Sequence, residues 1–320
     1  MNIELRAPSA HKALAKFEDP DRTANGELRA TVDLDQLETL WFNTGTLCNI
    51  ECINCYIESS PSNDLLQYIS ADEVSDYLDQ IEARKWGIRE IGFTGGEPFM
   101  NPEIIEMTRR ALARGYDALI LTNAMRPMMR KSMRSGLQAL KEEFGAKLTL
   151  RVSLDHWNAV RHDEERGKGS FVKTIEGMRW LRDAGIRMTV AGRALWHESD
   201  STARAGYAAL YEREGFSIDA SNPGETVLFP EMDETVDVPE ITTACWAILG
   251  KTPESVMCSS SRMVVKRRGA PAPSVVACTL LPYSPEFDLG ETLEQAERAV
   301  RLNHPHCAKF CVLGGASCSA

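Results

Sequence analysis

The feature that most constrains the fold of this chain is a repeating pattern: a short apolar run, a loop, then a segment with helical periodicity. Leu40-Trp41-Phe42 opens the first run, which reads as a strand ending near Thr46. Ser70, with Glu73 three residues on, forms a capping box for a helix whose apolar face is Val74, Tyr77, Leu78 and Ile81. The unit recurs, with strands expected over 90–94, 118–122, 148–153 and 188–191 and a sixth near 226–229. Asn101 is expected to cap the second helix, with Pro102 at its first position and Gly115 at its end. Further helices are expected up to Gly145, over 170–185 and over about 202–214. Strand–helix alternation of this kind makes an α/β fold on a parallel sheet with right-handed crossovers. Six units suit a partial (β/α)6 barrel and fall short of a closed one.

The pattern also divides the chain. Residues 1–37 are polar and without period, and read as an N-terminal extension before a barrel over 38–235. After Pro239 the alternation breaks, and residues 240–320, with six of the nine cysteines, are expected to form a small Cys-rich domain. Apolar content of 43% against 26% charged residues is ordinary for a globular chain and excludes a disordered or fibrous class. A net charge of -10 argues against a nucleic-acid partner, and the basic run Arg262–Arg268 reads as the solvated face of a hairpin. The chain lacks an apolar run of membrane-spanning length and its start lacks a secretory signal, so the expectation is a cytoplasmic protein without a membrane partner. Cysteines kept reduced there and clustered in sequence point to metal rather than disulfides.

The tightest cluster is Cys48-Asn-Ile-Glu-Cys52-Ile-Asn-Cys55, on the loop leaving the first strand. Three thiolates at this spacing can hold three corners of a cubane iron–sulfur cluster and leave the fourth iron open. A structural zinc knot is the plainer alternative, but it wants four closed ligands, and no fourth Cys or His lies within forty residues downstream.

The run C-x3-C-x2-C followed by Tyr56 resembles the signature of the radical S-adenosylmethionine (SAM) superfamily. Gly95-Gly96-Glu97-Pro98 resembles its GGE motif. Ser153-Leu154-Asp155, His162-Asp163 and Arg166-Gly167-Lys168-Gly169-Ser170-Phe171 resemble the branch that contains molybdopterin-synthesis, pyrroloquinoline-quinone-synthesis and anaerobic sulfatase-maturase proteins. The likeness covers about residues 40–195, more weakly the C-terminus, and departs at His156, where that branch often has Gly; the departure bears on the substrate side. The resemblance implies an enzyme that takes an electron from a small flavodoxin- or ferredoxin-type carrier. It would cleave SAM at a 4Fe–4S cluster to methionine and a 5'-deoxyadenosyl radical, then abstract hydrogen from a substrate. A small metabolite is the first reading of that substrate and a peptide the alternative, since 37 residues before the barrel are few for a leader-binding domain. A non-catalytic iron–sulfur or zinc scaffold for electron transfer is the rival of another class. No acid, base or other catalytic side chain stands out.

In parallel barrels the chemistry gathers at the C-terminal ends of the strands. The cysteine loop, Gly95-Gly96-Glu97, Asn123, Ser153 with Asp155, and Arg193 follow or end five successive strands, so all should share one rim. With Tyr56 they are the expected SAM contacts. Each has a plainer reading, as a turn, a cap or a surface ion pair, and Met125, Met128, Met129 and Met133 read as core packing. A branched side chain at Gly95 or Gly96 is expected to weaken SAM binding more than cluster assembly. Near the C-terminus, Cys258 and Cys278 flank an expected hairpin, and Cys307 and Cys311 follow an expected helix over about 290–302. These four are similar to the twitch or shortened SPASM domains of the superfamily, which implies an auxiliary 4Fe–4S cluster. Zinc on the same four is the alternative, with Cys245 and Cys318 left over.

Overall fold

The computed structural model describes residues 15–231 and 236–314. Its strands are β1 (Thr31–Val32), β2 (Thr39–Asn43), β3 (Glu90–Thr94), β4 (Asp117–Thr122), β5 (Leu148–Ser153), β6 (Arg187–Ala194), β7 (Thr226–Pro230), β8 (Ser261–Val265), β9 (Ser274–Val276), β10 (Asp288–Gly290) and β11 (Val300–Arg301). Its helices are α1 (Ala71–Arg84), α2 (Ile104–Ala113), α3 (Lys131–Phe144), α4 (Ala159–Arg166), α5 (Ser170–Asp183), α6 (Asp200–Glu214) and α7 (Cys245–Leu249). One sheet runs β10-β9-β8-β2-β3-β4-β5-β6-β7, parallel from β8 to β7 and antiparallel at β9 and β10. The six expected strands are the segment from β2 to β7, with helices between them. All five residues of β2 are buried, as befits a parallel strand covered on both faces.

Local signals explain most boundaries. Ser70 accepts from the Glu73 amide at 3.2 Å while the Glu73 carboxylate accepts from the Ser70 amide at 2.8 Å, so the capping box starts α1 as expected. The second helix starts later than expected, at Ile104. The Asn101 Oδ1 accepts from the Glu103 amide (2.9 Å), which caps the turn leading into that helix, and its side-chain amide donates to the carbonyls of Thr44 (3.2 Å) and Ile69 (2.9 Å). The side chain is spent tying the chain after β3 to the chain after β2.

The C-terminal portion differs most from expectation. The hairpin flanked by Cys258 and Cys278 forms as β8 and β9, but β8 pairs in parallel with β2 and extends the barrel sheet. Residues of the 240–320 portion therefore share the barrel's core instead of closing a core of their own. No helix forms over 290–302: β10, a turn at Gln295–Glu297 and β11 take its place, and β11 pairs with β1 of the N-terminal extension. The extension is accordingly docked at its C-terminal end, with Ala30 and Val32 fully buried and Arg29 paired to Glu240 at 2.6 Å. Arg262 departs too, since it is only 1% exposed where a solvated face was expected. The first fourteen residues of the extension and Cys318 lie outside the described residues.

Helix α5 lies close enough to the chain after β4 that Gly177 has no room for a side chain; a Cβ there would meet the Ala124 carbonyl at 1.9 Å. Thr174 on the same helix donates to the Asn123 carbonyl at 3.1 Å, so this contact sets the height of Asn123 at the rim. Gly177→Ala is expected to lower stability by about 2 kcal/mol through overpacking. An unchanged urea midpoint would show that the approach is not tight.

Candidate functional site

The five features expected on one rim do meet. Cys48, Cys52 and Cys55 line one cavity together with Tyr56, Gly95, Gly96, Asn123, Ser153, Asp155 and Arg193, at the C-terminal ends of β2 to β6. The space between these walls is about 1020 Å³ with its open mouth.

Backbone contacts hold the cysteine loop at both ends. Thr44 donates to the Thr94 carbonyl at 2.8 Å and Cys48 to the Ser60 carbonyl at 3.0 Å. At the far end Ile53 donates to the Glu165 carbonyl at 3.0 Å, and Asn54 donates to both oxygens of the Glu165 carboxylate at 2.7 and 3.0 Å. The Gly95-Gly96 turn presses on the near end. Gly95 has φ +139°, and a Cβ on Gly96 would stand 2.3 Å from the Leu47 carbonyl, one residue before Cys48. The expectation that substitution here would affect ligand binding before cluster assembly therefore changes, since added bulk would push on the thiol loop itself.

Glu97 is the one expected contact that does not line the cavity. Its carboxylate is spent inside the rim, accepting from Asn123 N (2.8 Å), Thr122 Oγ1 (2.8 Å) and Phe99 N (3.2 Å). Burial raises its pKa to about 7 against the pull of those donors. Asn123 is thereby fixed, and its side-chain amide donates to Asn49 Oδ1 at 2.9 Å, beside Cys48. Asp155 is likewise engaged by protein groups. It takes a two-pronged ion pair from Arg166 at 2.7 and 2.9 Å, and Arg193 Nε stands 3.8 Å away. Burial would raise the Asp155 carboxyl, but Arg166 and then Arg193 hold it below the ordinary range. Arg193 also donates to the Asn54 carbonyl at 2.7 Å, while its Nη1 is buried without a partner. Burial pushes the bare Cys48 thiol up to about 12 and raises that of Cys52, so iron would have to displace their protons.

Sequence reasoning did not single out Arg166 by itself, although it opens the run Arg166–Phe171; its partner Asp155 lies eleven residues earlier, on another element. Arg151, Thr122, Phe229, Leu280 and Phe310 also line the cavity. Phe310 stacks on Phe229 with ring centres 5.4 Å apart, and nothing local in the sequence reveals that pairing. His156 is buried against Trp157 and Trp196, with Nε2 on Glu198 and Nδ1 accepting from the Asn158 amide at 2.9 Å.

The C-terminal cysteines lie apart from this cavity. Cys258, Cys307 and Cys311 are buried, and Cys258 and Cys278 lie within electrostatic reach of Cys307. Cys307 and Cys311 share a π-helical turn, Cys307–Leu313, which also carries Phe310 to the cavity mouth. Among the described residues no three Cys, His, Asp or Glu side chains stand close enough to grip a single metal ion.

The family model described as the Radical SAM superfamily matches residues 42–203, half of the chain. The chain belongs to the radical SAM superfamily. It is 33% identical over 145 residues to the antilisterial bacteriocin subtilosin biosynthesis protein AlbA of Bacillus subtilis, covering 45% of this chain and 30% of that protein. It is 31% identical over 146 residues to the GTP 3',8-cyclase of Listeria monocytogenes, covering 43% and 40%. The chain thus spans less than half the length of these curated relatives. Among solved structures it shares its fold with Streptococcus suis SuiB bound to S-adenosylmethionine, at TM-score 0.58 and 11% identity over 80% of this chain and 63% of that one. Among the described residues no helix is long and apolar enough to cross a membrane.

Two outcomes test this site. Gly96→Ala is expected to cut iron incorporation along with SAM affinity, measured by iron content and equilibrium binding on the same sample; full iron loading would separate the turn from the loop. His162, on α4, is fully buried with both ring nitrogens unpartnered, and burial lowers its pKa to about 4. Because folding favours its neutral form, its contribution is complete above the ordinary imidazole pKa and is lost as pH falls toward 4. Up to about 3 kcal/mol should disappear across that window in the wild type relative to His162→Leu. Parallel stability–pH curves for the two proteins would refute the assignment.

Proposed function

We propose that Cys48, Cys52 and Cys55 hold the SAM-binding 4Fe–4S cluster and that the cavity they line is where SAM and the substrate meet. The observation that carries this reading is three thiols in the wall of a cavity that is also lined by Arg193, which is bonded to the cysteine loop and has a buried, unpartnered Nη1. Three thiolates suit a cubane with one open iron, and a cubane spreads its ligands more widely than the shell of a single ion does. The cluster and SAM together would supply reductive cleavage to methionine and a 5'-deoxyadenosyl radical that abstracts hydrogen from the substrate.

The chain's own residues would bind, orient and exclude water. Arg193 would present its free guanidinium edge to the SAM carboxylate, held in place by Asp155 and the Asn54 carbonyl. The exposed backbone of Gly95-Gly96 would receive the ammonium end, with Tyr56, Asn123 and Ser153 along the remaining walls. Glu97 and Asp155 would act one step back, by fixing Asn123 and the two arginines. The Phe229–Phe310 pair and Leu280 would close the substrate side against water.

A concave cavity with apolar side chains along part of its wall supports a small metabolite as substrate. A second reading takes a peptide, favoured by relatives named for bacteriocin biosynthesis and as the mycofactocin maturase MftC. A small flavodoxin- or ferredoxin-type protein would deliver the electron in a cytoplasmic setting. Cys258, Cys278, Cys307 and Cys311 would hold an auxiliary 4Fe–4S cluster, within the 240–320 portion that extends the sheet.

Reconstituted and reduced protein is expected to convert SAM to 5'-deoxyadenosine and methionine, and Ala at Cys48, Cys52 or Cys55 to abolish turnover. Full turnover in any one of the three variants, measured by chromatography of 5'-deoxyadenosine, would remove that cysteine from the cluster. A candidate substrate should raise the 5'-deoxyadenosine yield and pass deuterium into it, which separates metabolite from peptide.

A further inference from the structure

Among the described residues three arginines are almost wholly buried, and two of them have a carboxylate within electrostatic reach. Arg29 pairs with Glu240 at 2.6 Å, and Arg151 stands within electrostatic reach of Glu90. The third, Arg262 on β8, has none. Its guanidinium donates only to carbonyls: Nε to Ala296 at 2.9 Å, Nη1 to Cys258 at 2.5 Å and Ser261 at 2.8 Å, and Nη2 to Arg298 at 3.4 Å. Among the described residues no Asp or Glu pairs with it, and the ionisable groups within its electrostatic reach are Cys258 and Cys278. A guanidinium removed from water without an opposite charge is costly, and carbonyl dipoles offset only part of that cost.

The missing negative charge belongs to the cysteines. We propose that Arg262 is the built-in counter-charge of an auxiliary cluster on Cys258, Cys278, Cys307 and Cys311, and that it favours the reduced form; this rests on the second-cluster reading above. A cubane with thiolate ligands is a buried anion, and one-electron reduction makes it more negative. A fixed cation beside two of its ligands is therefore worth more after reduction than before, which raises the midpoint potential. The fork also explains the local chain path: its donors occupy the Ala296 and Arg298 carbonyls, which a helix over 290–302 would have used internally. The cation and the loop carrying those carbonyls thus hold each other beside Cys258.

The test uses the full chain with Cys48, Cys52 and Cys55 changed to Ala, so that only the auxiliary site is read. After anaerobic reconstitution, iron is counted and the cluster is titrated potentiometrically with EPR detection. Arg262→Lys is expected to keep the parent's iron content and midpoint. Arg262→Gln is expected to lower the reduced-to-oxidised ratio at the parent's midpoint by about tenfold, a shift of about 59 mV to more negative potential for one electron. A parent that takes up no iron, or zinc instead, overturns the second-cluster reading and this proposal with it. A parent that loads iron while Arg262→Gln titrates at the parent's midpoint overturns the counter-charge alone. Should Arg262→Gln fail to fold, Arg262→Lys decides. Parental iron and midpoint uphold the charge, and loss of either with unchanged circular dichroism assigns Arg262 to holding carbonyls only.

Discussion

The cavity depends on one backbone-to-backbone approach, between the chain leaving β2 and the chain leaving β3. Gly96 donates to the Gly45 carbonyl at 2.8 Å and Glu97 to the Leu47 carbonyl at 3.2 Å. A Cβ on Gly95 would stand 2.5 Å from the Gly45 carbonyl, so the two loops touch with no side chain between them. Because those hydrogen bonds end one residue before Cys48, the first thiol inherits its position from the sheet rather than from a flexible loop. Glycine is demanded at this point by packing as well as by any ligand. Both requirements act on the same two residues.

A second layer of polar contacts carries that rigidity around the rim. Glu97 links β3 to Asn123 after β4, Asp155 after β5 orients Arg166 at the end of α4 and Arg193 in β6, and Arg193 and Glu165 both return to Asn54 in the cysteine loop. The circuit closes on itself. Charged groups this deeply buried are tolerable because nearly every one meets an opposite charge or several donors, and a satisfied network of this kind resists rearrangement. Glu97 consequently serves the site from behind, and Asp155 spends its carboxylate on Arg166 although it lies in the wall, while the glycines and thiols line the cavity.

The sequence was most legible where the signal is local. A capping box, a run of apolar residues and a three-cysteine loop each announce themselves within ten residues, and α1, β3, β5 and the thiol loop stand where those signals put them. The second helix starts later than its local signal because the turn that Asn101 caps, over Pro102 and Glu103, lies before it, and the long-range bonds of the Asn101 amide to Thr44 and Ile69 have no local signal at all. Residues 290–302 misled because β11 finds its partner in β1, some 270 residues away, and helical spacing carries no information about that pairing. Arg262 read as solvated because flanking Lys and Arg residues suggested a polar face, whereas β8 is buried along its whole length by its place next to β2. Glu97 and Asp155 were recognisable as members of the rim, but their orientation depends on donors from β4, α4 and β6 that no single segment displays.

The placement of the C-terminal portion ties these observations together. It meets the barrel on both edges of its parallel run, with β8 lying along β2 at one side and the turn Cys307–Leu313 lying against β7 at the other, where Phe310 stacks on Phe229. The parallel strands form an open sheet and not a closed ring, and this portion lies against both ends of their run. The same turn carries two cysteines and a cavity-lining ring, so anything that orders Cys307 and Cys311 also orders a wall of the cavity. Metal bound there would stabilise fold and site in one step, since binding free energy becomes folding free energy when the ligands sit on an otherwise irregular segment. Cys258, Cys307 and Cys311 belong to the same buried cluster as the barrel's strands, so this Cys-rich portion shares the core instead of standing apart from it.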